Sequence, residues 1–152
     1  MPDAPSVDQN DTLALVGCGA SKEDARTAAY RLYTSTYFQR KWAVASYLGD
    51  PAICSAKHCL VWAHERLDPY DETLYDYSDE ECRAWAQGVA DSIPDHYEHI
   101  VVLAGSVYVE PIVDAVDRPV TNMFAGCDGI HDQQSTLSEH LDAVGAEVAP
   151  GA

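Results

Sequence analysis

Three short apolar runs, Thr12-Leu-Ala-Leu-Val16, Pro51-Ala-Ile-Cys-Ser55 and His99-Ile-Val-Val-Leu-Ala104, stand apart by helix-length segments. Continuous apolar runs of this length suit strands buried on both faces, as in a parallel sheet. Between the first two, Thr34 or Ser35 can cap a helix running to about Leu48, with Phe38, Trp42 and Ala45 on its buried face and Gly49-Asp-Pro51 as its stop. Ser78-Asp-Glu-Glu81 is a capping box that opens a helix to about Ser92, with Cys82, Trp85 and Val89 inward. After the third run, Val107 to Val116 suits a helix, Pro119-Val-Thr121 a short edge strand, and Ile130 to Val144 a terminal helix. The alternation predicts a three-layer α/β sandwich in which helices flank a mostly parallel sheet of about four strands. Residues 12–144 then form a single domain, with loose tails at 1–11 and 145–152. The stretch from Ala56 to Tyr77 reads as one long connection; loops of that length are usually functional or disordered, and Trp62, Tyr70, Tyr75 and Tyr77 favour a functional one.

The chain has 25 acidic and 9 basic residues, a formal charge of −16. In a sequence of globular composition this charge reads as a salt-adapted surface, and it predicts a protein of a high-salt cytoplasm. Five scattered cysteines, Cys18, Cys54, Cys59, Cys82 and Cys127, argue against a disulfide scaffold. No signal peptide and no membrane-spanning run is legible, so no membrane association is expected. Seven of the nine cations fall between Lys22 and Arg66 against four acids, and no acid at all lies between Ala25 and Gly49. That island is expected to attract an anionic small molecule or a nucleic acid, with the helix after Ser35 carrying the positive face.

The ends of the predicted parallel strands are where an open α/β sheet binds its ligand. After the first strand, Gly17-Cys-Gly-Ala-Ser-Lys22 offers Gly17, Gly19, Ser21 and Lys22 as an anion cradle. It has neither Walker A nor dinucleotide-fingerprint spacing, and no cofactor is implied. After the second strand, Ser55 and Lys57 add a hydroxyl and an ammonium, so that Lys22 and Lys57 are placed to converge on one phosphate. The alternative is that both lysines pair with Asp68 and Asp71. Four groups are candidates for proton transfer or nucleophilic work: His58, Asp71, Glu110 after the third strand, and Cys18 between two glycines. His58, Asp71 and Cys18 each have a plainer reading, as a loop-holding imidazole, a turn-capping carboxylate and a small buried thiol. Tyr70 and Gly105 complete the candidate ligand-binding set. Cys54, His58, Cys59 and His64 are zinc-ligand types, but without a C-x2-C half no metal site is assigned.

Three groups of residues, Val16-Gly-Cys-Gly-Ala-Ser-Lys22 with Leu32-Tyr-Thr34, Ser55-Ala-Lys-His58 with Leu67-Asp-Pro-Tyr-Asp71, and Val101-Val-Leu-Ala-Gly105 with Tyr108, together resemble a prokaryotic and phage family known as domain of unknown function 6884. The resemblance spans roughly Leu13 to Leu141. This chain departs from the pattern at Cys59, where the family prefers Gly, and at Cys54, where an aliphatic residue is usual. The Gly17–Lys22 loop is also similar to a segment of archaeosine-synthase-type tRNA-modifying proteins. Asp68-Pro-Tyr70 resembles the Asp-Pro-Tyr loop of uracil-DNA glycosylases, although it follows the second strand and lacks the leading Gly-Gln.

These readings converge on an enzyme of nucleotide or nucleic-acid metabolism acting on a base, nucleoside or N-glycosidic bond. Two alternatives stand beside it: a non-catalytic nucleotide- or nucleic-acid-sensing module, and a structural metal-binding protein.

Overall fold

The computed structural model describes residues 11–18, 22–125, 127 and 130–144. Both expected tails, apart from Asp11, lie outside the described residues, as do Gly19 and Ser21. Seven strands form in chain order: β1 (Thr12–Gly17), β2 (Thr27–Ala28), β3 (Asp50–Ser55), β4 (Cys59–Trp62), β5 (Arg66–Leu67), β6 (His99–Leu103) and β7 (Val120–Asn122). The helices are α1 (Ala29–Leu32), α2 (Thr36–Leu48), α3 (Asp79–Ser92), α4 (Ser106–Ala115) and α5 (Ile130–Val144).

A five-stranded sheet runs in the order β4-β3-β1-β6-β7, and β1, β3, β6 and β7 are parallel. β1 is central, with Leu15 opposite Ala52 on one side and Val102 on the other, and all six of its residues are buried. Its alternating side chains feed two cores. Leu13 and Leu15 meet α3 and α4 on one face, and Ala14 and Val16 meet α2 and α5 on the other. The fold is therefore the expected three-layer α/β sandwich, with one strand more than anticipated.

That extra strand is β4, which pairs antiparallel with β3 from Ala52–Trp62 to Ser55–Cys59. The stretch 56–77 is thus a hairpin, a short β5 paired to β2, and a 3-10 turn at Leu74–Asp76, and not one long connection. The sharp reversal puts Cys59 at φ 64°, a left-handed conformation that a side chain strains and glycine adopts freely. The glycine preference noted at this position has its physical cause there.

Local signals act as their chemistry dictates. Ser35 Oγ accepts the Phe38 N–H at 3.1 Å to open α2, and the Ser78–Glu81 box closes in both directions at the start of α3. No helix among the described residues is long and apolar enough to cross a membrane.

Candidate functional site

β1 leads through α2 to β3 on one side of the sheet, whereas β6 leads through α4 to β7 on the other. The order in which strands are added reverses between the parallel neighbours β1 and β6, and their carboxyl ends form the crevice where open α/β sheets receive ligands. Small residues keep that crevice open. A Cβ on Gly17 would stand 2.8 Å from the Ala104 Cβ, so the two strand ends approach closely only because residue 17 is glycine. A cavity of about 740 Å³ fills the space above them, floored by Gly17, Cys18, Ala104 and Gly105.

Helices and loops supply the functional groups around this floor. Lys41 reaches in from α2, 3% exposed, and its Nζ donates to the Gly17 carbonyl at 3.2 Å and lies 4.3 Å from the Tyr37 ring centroid. Burial depresses its pKa to about 8, with the neighbouring thiols Cys54 and Cys18 acting weakly in the opposite direction. Cys18 Sγ lies 3.3 Å from Tyr108 OH, whose pKa is pushed up mainly by burial. Gly105 caps α4 without a side-chain hydrogen bond, and Gly105 and Ser106 both line the cavity, so the helix presents its first N–H groups there. Asp71 and Tyr75 stand along the lining from the loop after β5, and Asn122 and Phe124 from the end of β7. The cavity therefore combines a buried cation, carboxylate, thiol, amide and aromatic surfaces.

A model of a family of unknown function, DUF6884, matches residues 13–139. The chain belongs to DUF6884. No curated protein is significantly similar to it. Among solved structures the chain is similar to the crystal structure of AF0587, a protein of unknown function, with 14% identity and a TM-score of 0.52 over 91% of this chain. The match covers 46% of AF0587, so the chain spans just under half of that protein's length, and the likeness is one of fold.

The three residue groups that mark DUF6884 membership in the sequence are joined by contacts at this edge. Tyr33 OH and Tyr70 OH are 2.5 Å apart, and Tyr70 OH is 2.7 Å from Ser55 Oγ, which links the first group to the second. Lys22 Nζ lies 4.5 Å from the Tyr70 ring centroid and 5.7 Å from that of Tyr33. Cys18 and Tyr108 link the first group to the third.

Of the residues expected to act, Gly17, Cys18, Lys22, Asp71 and Gly105 line the cavity. Ser55, Lys57, His58, Tyr70 and Glu110 do not. Ser55 is fully buried, bonding Tyr70 and accepting the His58 N–H at 3.1 Å. Lys57 is exposed and pairs with Glu72 at 3.8 Å, rather than with either aspartate, and His58 is exposed with its ring edge against Tyr70. Glu110 is exposed on the second turn of α4. Asp68 pairs with Arg26. The four zinc-ligand types do not assemble: Cys54 Sγ is directed to the Val16 carbonyl, Cys59 packs by Gly88, and His64 packs on Tyr30.

Lys41 was not among the residues expected to bind. Its signal lay in spacing, since position 41 is three after Phe38 and four before Ala45, inside the apolar stripe of α2. Nor does α2 carry an outward positive face. Lys41 is buried, and Arg40 bonds Gln134 and Ser138 across to α5.

Proposed function

We propose that this protein is a nucleotide- or nucleic-acid-processing enzyme that acts on a base, nucleoside or N-glycosidic bond in the β1/β6 cavity. The observation that carries the reading is Lys41, a cation enclosed at the cavity wall beside the uncapped start of α4. Together they suit a phosphate or another anionic group. A volume of about 740 Å³ accommodates a nucleotide, the exposed Tyr75 offers a face to a base beside the buried Phe124, and Asn122 and Gln133 offer amides to its edge. Asp71 and the Cys18–Tyr108 pair supply the proton-transfer and nucleophilic groups that act on such a ligand. Binding without turnover is the second reading, favoured by the placement of His58 outside the cavity.

Thermal unfolding in molar potassium chloride, with nucleosides and nucleotides added in turn, tests this reading. The salt suits the −16 charge of a protein adapted to a high-salt cytoplasm, and dialysis into low salt is expected to loosen the fold. One ligand class is expected to raise the midpoint, and Lys41→Met to weaken its binding at least tenfold, the size of one lost charge-assisted contact. A ligand shift of equal size in the variant overturns Lys41 as the anchor, and no shift with any nucleotide overturns the reading. Product formation from the bound class separates catalysis from sensing.

A further inference from the structure

A second depression lies on the other side of the Lys22–Tyr33 pair. It has a volume of about 880 Å³ and is lined by residues between Glu23 and Gln39, among them Arg26, Tyr30, Arg31 and Tyr33. That lining holds two arginines and one acid, Glu23. Arg31 has no carboxylate partner among the described residues. Its Nε donates to Tyr30 OH at 2.8 Å, and its guanidinium carbon lies 5.3 Å from that ring's centroid. Arg26 pairs with Asp68 at 3.2 Å, but both side chains are more than half exposed, and such a pair opens at little cost. Tyr30 extends the surface, lying near-parallel to Trp42 at 6.5 Å and edge-on to His64 at 5.6 Å. Arg66 stands beside Ala28 in the β2–β5 pair, exposed as well.

The two depressions share a wall. Lys22 lines the β1/β6 cavity and Tyr33 lines the second cleft, and the two residues form an antiparallel bridge with Nζ over the ring. A ligand long enough to cross that wall meets cations and aromatic faces on both sides of it. On a chain of charge −16, this lining belongs to the segment from Lys22 to Arg66, which holds seven cations against four acids, so a polyanion meets less repulsion there than along the acidic remainder. Guanidiniums interleaved with an accessible ring suit an unpaired strand, whose base faces are free to stack, better than a duplex, which hides them.

We propose that this cleft binds the sugar–phosphate backbone of a single-stranded nucleic acid, one nucleotide of which occupies the β1/β6 cavity. The inference rests on the nucleotide reading of that cavity and adds that the ligand is a strand, not a free nucleotide.

The test compares wild type with the Arg26→Gln/Arg31→Gln double variant. Both positions are exposed, so the fold is expected to persist, which far-UV circular dichroism checks. Fluorescence anisotropy follows oligo-dT and oligo-U of about ten nucleotides, and a duplex of the same length, in the lowest potassium chloride that leaves the dichroism unchanged. The thermal shift by 5′-mononucleotides is measured in parallel. Single strands are expected to bind at least tenfold more tightly than mononucleotides. The double variant is expected to lose at least tenfold of strand affinity, with a salt slope shallower by about 1.4 for two lost phosphate contacts, while the mononucleotide shift stays unchanged. A preference for dT or U, or equal binding of both, supports the proposal and reports on the sugar. Equal strand binding by both proteins overturns it, as does duplex binding as tight as that of single strands. Mononucleotide binding with no gain for the strand overturns the strand alone, and binding of neither overturns the cavity reading as well.

Discussion

The β3–β4 hairpin and the β1/β6 crevice stand at the same carboxyl edge of one sheet, and they treat polar side chains in opposite ways. At the hairpin, Ser55, Tyr70 and Tyr33 are all buried and satisfy one another's hydroxyls, and Lys57 and His58 turn out to solvent. At the crevice the strand ends carry Gly17, Ala104 and Gly105, which contribute almost no side chain; Cys18 follows directly on β1, and other polar groups arrive from Lys22, α2, α4 and the loop after β5. A segment rich in functional groups thus closes on itself, while a segment poor in them leaves room for a ligand. At this sheet's switch point the small residues at the strand ends, and not the segment densest in reactive ones, border the cavity.

The largest test of this contrast concerns Lys41, the one charged side chain buried at the crevice among the described residues. Its pKa falls from 10.5 in the open chain to about 8 in the fold. Below pH 8 both states carry the proton and the fold bears the burden of the buried charge. Between pH 8 and 10.5 the unfolded chain holds a proton that the folded one has released, so stability rises with pH across that window. Lys41→Met removes the burden. It is expected to stabilise the protein at pH 7 by up to ~3 kcal/mol, a gain that shrinks as pH rises in urea titrations of both proteins. Cys54, its pKa raised to about 12 by burial and held down in part by Lys41, erodes stability above pH 9, so the two proteins are compared between pH 7 and 9. A destabilised variant at pH 7 would mean that the Gly17 carbonyl and the Tyr37 ring hold the ammonium more strongly than burial opposes it. Anion binding that depends on the ammonium should weaken as pH rises through 8.

At the hairpin the expected effect is smaller and of opposite sign. Tyr70→Phe removes the hydroxyl that bonds both Tyr33 OH and Ser55 Oγ, leaving Tyr33 to Ser55 and Ser55 to Tyr33 and the His58 N–H. The loss of these two buried hydrogen bonds destabilises by about 1–3 kcal/mol, read as a lower urea midpoint. Burial raises the pKa of Tyr70 above the usual phenol range, so the network stays protonated at neutral pH and the loss should not vary between pH 6 and 8. Ligand-induced shifts should survive, because Tyr70 does not line the cavity. The pair of variants forms a cross: one raises stability and weakens binding, the other lowers stability and spares binding. If Tyr70→Phe abolished binding at unchanged stability, the two regions would have to exchange roles.

The fold was legible because its determinants are local. Ser35, the Ser78–Glu81 box and the apolar run at 99–104 specify their elements within a few residues, and α5 keeps its expected bounds of Ile130 and Val144. β4 was not legible, since Cys59-Leu-Val-Trp62 is a short run entered through a left-handed cysteine, where the usual turn glycine is missing. The site was half legible. Gly17, Cys18, Lys22, Asp71 and Gly105 follow from strand ends and the loop beyond β5, but Lys41, Tyr37 and Gln133 reach the cavity from helices whose orientation is set by packing between α2 and α5. Read by charge alone, Lys41 belongs to a positive face; its spacing from Phe38 and Ala45 puts it on the apolar stripe, and the fold shows it turned inward.

The smallest expected effects belong to Lys57 and His58, the residues whose types promised most. The Lys57–Glu72 pair spans 3.8 Å with both side chains nearly half exposed, a geometry in which screening by water leaves little net attraction. His58 contributes its backbone N–H to Ser55 Oγ, a bond that any residue but proline retains. Lys57→Ala and His58→Ala should therefore each stay within ~0.5 kcal/mol of wild type, with the ligand-induced shift intact. Binding lost on Lys57→Ala in an otherwise stable protein would draw the anion site to the hairpin and leave the buried Lys41 as a structural ammonium. Binding retained there and lost in Lys41→Met leaves the crevice as the place where the anion is held.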